Sequence, residues 1–174
     1  MNMTKTLLAA VIALGVTSAA NAADQGHGKV TFTGSIIDAP CSIAPESLDQ
    51  TVELGAISNV ALKDSGKSTP RNFEIKLENC EFDSPAEKNK VSVTFTGAAS
   101  PNNADLLGIT GTAQGAGVAI THGSSVVKLG QATDVQTLQN GNNTLPFSAY
   151  VQGDGATITE GDFQAVADFT LAYQ

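Results

Sequence analysis

The run Asn72-Phe73-Glu74-Ile75-Lys76-Leu77-Glu78-Asn79 decides the class of fold. Phe73, Ile75 and Leu77 fall on one face and charged side chains on the other, the period of two that marks a strand with one face buried and one in water. Val91-Ser92-Val93-Thr94-Phe95-Thr96 repeats the pattern with Val91, Val93 and Phe95. Both read as strands of a half-buried antiparallel sheet.

Working outward, Gly117 to Thr121 and Val126 to Leu129 flank His122-Gly123-Ser124-Ser125 as a hairpin, and Asn140-Gly141 marks a turn ahead of Leu145 to Val151. Gln50 to Leu54 carries a weaker strand signal. Gly, Asn, Asp, Ser and Pro interrupt the chain at short intervals, and past the first residues no stretch of ten or more keeps a helical period. The class is all-β. With the first 22 of the 174 residues set aside, a remainder of about 150 with turns every ~8 to 15 positions suggests an immunoglobulin-like sandwich.

Two segments alternate for longer than a core alone requires. Near the N-terminus Val30, Phe32, Gly34 and Ile36 face one way and Thr31, Thr33 and Ser35 the other. At the C-terminus Phe163, Ala165, Ala167, Phe169, Leu171 and Tyr173 share a face opposite Gln164, Asp168 and Thr170, with Val166 an apolar exception on the polar side that leaves the local register open. The first of these follows a lead, Ala23 to Lys29, that contains Gly26 and Gly28 and reads as a fraying terminus. Such a strand either packs into its own sandwich as an edge or fits the groove of a partner, and composition does not decide between the two.

Met1 to Ala22 reads as a secretory signal peptide, with Lys5 as the positive region, Leu7 to Val16 as the apolar stretch and Ala20-Asn21-Ala22 as the cleavage site. The mature chain would begin at Ala23. Loss of Lys5 leaves eight basic against 17 acidic side chains, a sign that disfavours nucleic acid and anionic membrane surfaces as partners. Export also sends Cys41 and Cys80 to a compartment where thiols pair, so one disulfide is expected, closing a loop of about 40 residues with a stabilisation near ~4 kcal/mol. Two cysteines and two histidines are too few for a metal site of that ligand type, and no cofactor motif is present.

With these residues in place, the stretch Gly28-Lys29-Val30-Thr31-Phe32-Thr33-Gly34-Ser35-Ile36-Ile37-Asp38-Ala39-Pro40-Cys41-Ser42-Ile43 resembles the N-terminal extension and first cysteine of the chaperone-usher pilins. Gly161-Asp162-Phe163 through Ala172-Tyr173-Gln174 is similar to their C-terminal motif, with its early glycine and penultimate tyrosine. The resemblance spans the chain and is strongest to the major shaft subunits of P pili and mannose-resistant Proteus-like fimbriae. It implies an incomplete immunoglobulin-like sandwich lacking its seventh strand, with residues 1–22 as signal, 23–38 as a donor-strand extension and 39–174 as the pilin domain. By position, Val30, Phe32, Gly34 and Ile36 would be the donor strand. Gly161, Phe163, Ala165, Ala167, Phe169, Leu171 and Tyr173 would line the acceptor groove and be recognised by the chaperone. The implied partners are further copies of the chain, other pilus subunits, a periplasmic chaperone and an outer-membrane usher, and the implied destination is a fimbria on the bacterial surface, reached through the periplasm and supporting adhesion.

Catalytic readings find little support in the residues. The only histidines are His27, in the lead, and His122, in the expected turn, and Gly115-Ala116-Gly117 lacks the strand-turn-helix setting of a dinucleotide site. Asn142-Asn143-Thr144 fits a glycosylation pattern that a turn already explains. The alternative within the same system is a minor or tip-associated adhesin subunit, though tip proteins usually add a lectin domain for which this chain is too short. A host surface receptor could be touched through loops such as Pro101 to Asp105, but no tryptophan and only two tyrosines offer a sugar site.

Overall fold

The computed structural model describes residues 27–82 and 88–174. The expected signal peptide, Met1 to Ala22, and the expected mature start at Ala23 lie outside the described residues. The chain divides between Ile36 and Ile37 into an N-terminal unit and a β domain.

The domain's strands, in chain order, are β1 (Ser42–Ile43), β2 (Arg71–Cys80), β3 (Lys90–Thr96), β4 (Leu107–Gly108), β5 (Thr110–Gly111), β6 (Ala116–His122), β7 (Ser125–Val126), β8 (Gln136–Thr137), β9 (Gly141–Gly153), β10 (Phe163–Gln164) and β11 (Asp168–Tyr173). One four-residue helix, α1 (Pro45–Leu48), and a 3₁₀ segment, Asn59–Ser65, interrupt them. The larger sheet runs β1-β2-β9-β6-β4 with β7 beside β6, a second runs β11-β3-β8, and β10 pairs β5. Every pairing is antiparallel.

The two quoted strands alternate as read: Ile75 and Leu77 of β2 and Val91, Val93 and Phe95 of β3 are buried. They meet Leu145, Phe147, Ala149 and Val151 of β9 in one core built from both sheets. Phenylalanines tie the sheets together. Phe95 of β3 packs edge-on against Phe147 of β9 at 5.0 Å, Phe147 stacks on Phe73 of β2 at 5.6 Å, and Phe169 of β11 lies 6.3 Å from Phe95. Pro146 sits within β9, which among the described residues pairs there with β2 alone because pairing with β6 ends at Ser148. A residue with no N–H is tolerated at such a local edge.

Three readings need correction. The hairpin turn after β6 is two residues, Gly123 and Ser124, since His122 already pairs Ser125. Asn142 to Thr144 lie in β9 rather than in a turn, and the Asn143 side chain accepts from the Gln139 amide at 2.9 Å and donates to its carbonyl at 2.7 Å. Gln50 to Leu54 is no strand: Val52, Leu54 and Ile57 are half-buried as alternation suggests, but Gly55 turns at φ +78° and the segment joins no ladder.

Cys41 and Cys80 are joined, linking the entry to β1 with the end of β2. We expect Cys41→Ser to lower the unfolding free energy by about 2 to 5 kcal/mol, measured by guanidinium unfolding of the oxidised protein.

The loop before β4 is held by a buried carboxylate. Asp154, just past β9, accepts from Ser100 Oγ at 2.8 Å, Asn102 Nδ2 at 3.2 Å and the Ala156 amide at 2.9 Å. Burial opposes its charge, but these donors outweigh burial and hold the carboxyl below its ordinary value. Above that ordinary value both folded and unfolded chains carry the charge, and the contribution to stability is complete. As pH falls the unfolded chain takes up its proton first, so the contribution shrinks and is gone below the native pKa. Asp154→Asn is therefore expected to lessen the stability difference between pH 7 and about pH 3, read by thermal melting at both.

Candidate functional site: an open edge and an exposed extension

β11 pairs β3 along one side, from Asp168 opposite Thr96 to Tyr173 opposite Val91. Among the described residues no strand lies along its other side. Gln174 and Lys90 exchange both backbone bonds, at 2.9 and 3.1 Å. Since bonded and non-bonded pairs alternate in an antiparallel ladder, Ala172, Thr170 and Asp168 direct their backbone groups at β3, and Phe169, Leu171 and Tyr173 direct theirs at the open edge. Three N–H and three C=O groups are thus presented in a row.

The side chains of this stretch alternate over their whole length. Phe163, Ala165, Ala167, Phe169, Leu171 and Tyr173 are each half-buried and packed against the core, and the residues between them are exposed. Half-burial of six consecutive inward positions means that the core beneath is covered from below and uncovered along the edge. The strand itself lapses from Ala165 to Ala167, between β10 and β11. There Gly97 allows close approach, for a β-carbon on it would lie 2.7 Å from the Val166 carbonyl oxygen. Val166 keeps the outward phase through the break and is 64% exposed.

Gly161 stands apart from the other residues expected in the groove. It is exposed, with φ +153°, and a β-carbon there would run into Thr112 and Ala113. Asp162 fixes this approach: its carbonyl accepts from the amides of Thr112 and Ala113 at 3.0 and 3.1 Å, and its amide donates to Thr112 Oγ1 at 3.0 Å. The glycine seats the final segment on its neighbour rather than lining the face.

The N-terminal unit carries exposed apolar side chains. Residues 27–36 form no strand, and Val30, Phe32 and Ile36 are 75%, 91% and 104% exposed. Nothing would lie within 4 Å of a β-carbon on Gly34. Among the described residues no three His, Cys, Asp or Glu side chains gather in a way that could hold a metal ion.

Two features of the site escaped the sequence. The backbone direction along β11 depends on which residue of β3 starts the ladder, which no one-dimensional pattern carries. The other is the Tyr173 hydroxyl, which is buried without a hydrogen-bond partner among the described residues. Burial also pushes its pKa above the ordinary phenol value.

The domain is thus a β-sandwich with a row of backbone groups unpaired among the described residues beside an uncovered core, in a chain that also carries an exposed, non-strand segment of apolar period. A family model described as fimbrial protein matches residues 30–174. The chain is 66% identical to the fimbria A protein of Serratia marcescens over the full length of both, and 49% identical to the major MR/P fimbria protein of Proteus mirabilis, with 96% of this chain and 97% of that one covered. Among solved structures it is similar to the P pilus rod subunit PapA, with TM-score 0.70, 35% identity and coverage of 78% of this chain and 100% of that one. A chain from a chaperone-usher pilus gives TM-score 0.77 at 38% identity, covering 86% and 97%. The chain belongs to the fimbrial protein family. It is a structural subunit of a fimbria, a fibre on the bacterial cell surface, with the immunoglobulin-like fold of chaperone-usher pilus subunits.

The unpartnered phenol yields a prediction. A buried polar group without a partner costs about 1 to 3 kcal/mol, so Tyr173→Phe is expected to raise, not lower, the melting temperature of the unassembled subunit.

Proposed function

We propose that this subunit polymerises by donating residues 23–38 to the open edge of the next copy, where Val30, Phe32 and Ile36 complete the core and Gly34 lies against the strand beneath. The observation that carries the reading is the pairing of opposites: six half-covered apolar positions beside unpaired backbone on one segment, and fully exposed apolar side chains of the same period on another. Strand addition satisfies both, main-chain bonds giving affinity and alternate side chains specificity.

Magnitudes favour both contributions acting together. Burying Val30, Phe32 and Ile36 contributes roughly 1.5 to 3 kcal/mol each, and six ladder bonds to Phe169, Leu171 and Tyr173 a net ~0.5 to 1.5 kcal/mol apiece. Association costs about 4 to 15 kcal/mol in lost freedom. Neither set of contacts alone reaches the upper end of that range, and only their sum can. Donor and acceptor are different surfaces, so the contact is heterologous and repetition gives an open fibre.

Before assembly the same edge would pair with any exposed strand. A periplasmic chaperone that lends a strand to residues 163–173 fits this requirement, and an outer-membrane usher is where one strand replaces the other. Residues 1–22 act as the export signal and 39–174 as the domain. In this reading the role is structural rather than enzymatic, as in the family to which the chain belongs.

The test is a self-complemented variant. A copy of Gly28 to Ile37 is joined after Gln174 by a loop of about 2 to 5 residues, and Ala23 to Asp38 is deleted. It is expected to be a chaperone-independent monomer with a raised melting temperature that neither donates nor accepts a strand. The same deletion without the graft is expected to aggregate or to need the chaperone. Size-exclusion chromatography and thermal melting compare the two, and equal stability with monomeric behaviour in the ungrafted form would overturn the reading.

A further inference from the structure

Two exposed apolar side chains interrupt faces that are otherwise polar. Ile37 is 60% exposed and follows Thr31, Thr33 and Ser35 in phase, and Val166 is 64% exposed and lies in phase with Gln164, Asp168 and Thr170. We propose that Ile37 of one subunit lies directly opposite Val166 of the next on the outer face, and that this contact sets the register of the donated strand. The proposal rests on the strand-donation reading and adds the residue pairing to it.

The period of a strand restricts the choice. Directly opposed residues of an antiparallel pair share a face, so a donated strand whose Val30, Phe32 and Ile36 point inward can shift along residues 163–173 only in steps of two. With Ile37 opposite Val166, Ile36 faces Ala167 and Gly34 faces Phe169, a large side chain against a small one in each case. A shift of two one way sets Ile36 against Phe169 and Ile37 against the charge of Asp168. The opposite shift sets Gly34 against Ala167, leaving space unfilled, and Phe32 against Phe169. Of the three, only the first register sets Gly34 against an aromatic side chain on the inside and Ile37 against an apolar one on the outside.

Backbone geometry agrees. Phe169, Leu171 and Tyr173 offer their N–H and C=O groups to the open edge, so the residues opposite them form hydrogen-bonded pairs and those between form non-bonded pairs. Val166 belongs to the second set, its carbonyl being turned to Gly97. Non-bonded pairs bring opposed side chains closest, with Cα atoms about 4.5 Å apart, which favours both an apolar contact and a disulfide.

The test uses fibres of the full chain, assembled in cells, with paired cysteines: Ile37→Cys with Val166→Cys, and two comparators that report shifts of two residues, Ser35→Cys with Val166→Cys and Ile37→Cys with Asp168→Cys. The expected result is a ladder of covalent oligomers on a non-reducing gel from the first pair alone, collapsed by reductant. A ladder from a comparator but not from the first pair would overturn the register and leave strand donation standing. Fibres with no ladder from any pair would overturn both. Should a cysteine variant not assemble, Ile37→Thr, Val166→Thr and the double variant are compared by the temperature at which fibres dissociate in detergent. The pairing predicts that each single change lowers it and that the double lowers it no further than the larger single, since contacting residues are non-additive; additive losses would overturn the contact.

Discussion

The structure depends on one missing neighbour. β11 is held by β3 on one side and by nothing described on the other, so three residues' backbone bonds and one flank of the core are left open together. These two defects share a remedy, because any strand near enough to accept the hydrogen bonds also covers the side chains beneath. The rest of the domain holds that edge in shape while it is vacant. Phe169 is both a lining residue of the open face and a member of the phenylalanine cluster that reaches β3 and β9. The open surface is thereby tied to the most buried part of the core. The Cys41–Cys80 bridge anchors the start of the domain to the end of β2, at the edge of the larger sheet.

An edge of this kind has to be specific as well as adhesive. Open strands pair with almost any extended chain, because backbone bonds carry no sequence information. Selectivity is left to the side chains on alternate positions, and here these vary in size from Ala165 and Ala167 to Phe169 and Tyr173. The segment proposed to meet it varies in size as well, with Gly34 between Phe32 and Ile36. A glycine within a strand is weak on its own account, having nothing to pack. In the proposed pairing its use is as an absence, a place where the bulk comes from the other side.

Much of this was legible from residue order because a period of two needs no knowledge of the partner. The alternation of Phe73, Ile75 and Leu77, of Val91, Val93 and Phe95, and of Phe163 through Tyr173 each predicts which side chains turn inward, and they do. What failed to appear was information held by neighbours. Gln50 to Leu54 alternates like a strand but joins no ladder among the described residues, so pattern without a paired strand gave extended coil. The interruption at Ala165 to Ala167 reflects a change of partner, from β5 at Gln164 to β3 at Asp168. Gly161 fits a terminal motif by position, yet its work is close approach to Thr112, a contact about 50 residues away in sequence. The Asp154 network is likewise invisible in order, since Ser100 and Asn102 meet it only through the return of β9.

Charge is distributed in a way that assigns it a different task. The sequence carries 17 acidic against nine basic side chains, so copies of the subunit repel one another at long range. Residues 28–37 contain one charged side chain, Lys29, and residues 163–173 contain one, Asp168, which points outward. The surfaces that would meet in a fibre are therefore nearly free of the repulsion that governs the rest of the molecule. Repulsion between bodies falls away within a Debye length of about 10 Å in moderate salt, while burial and ladder bonds act only at contact. The two forces do not compete at the same distance. Under the proposed strand donation, long-range charge keeps subunits from clumping through their faces, and short-range complementarity alone selects the edge at which they join.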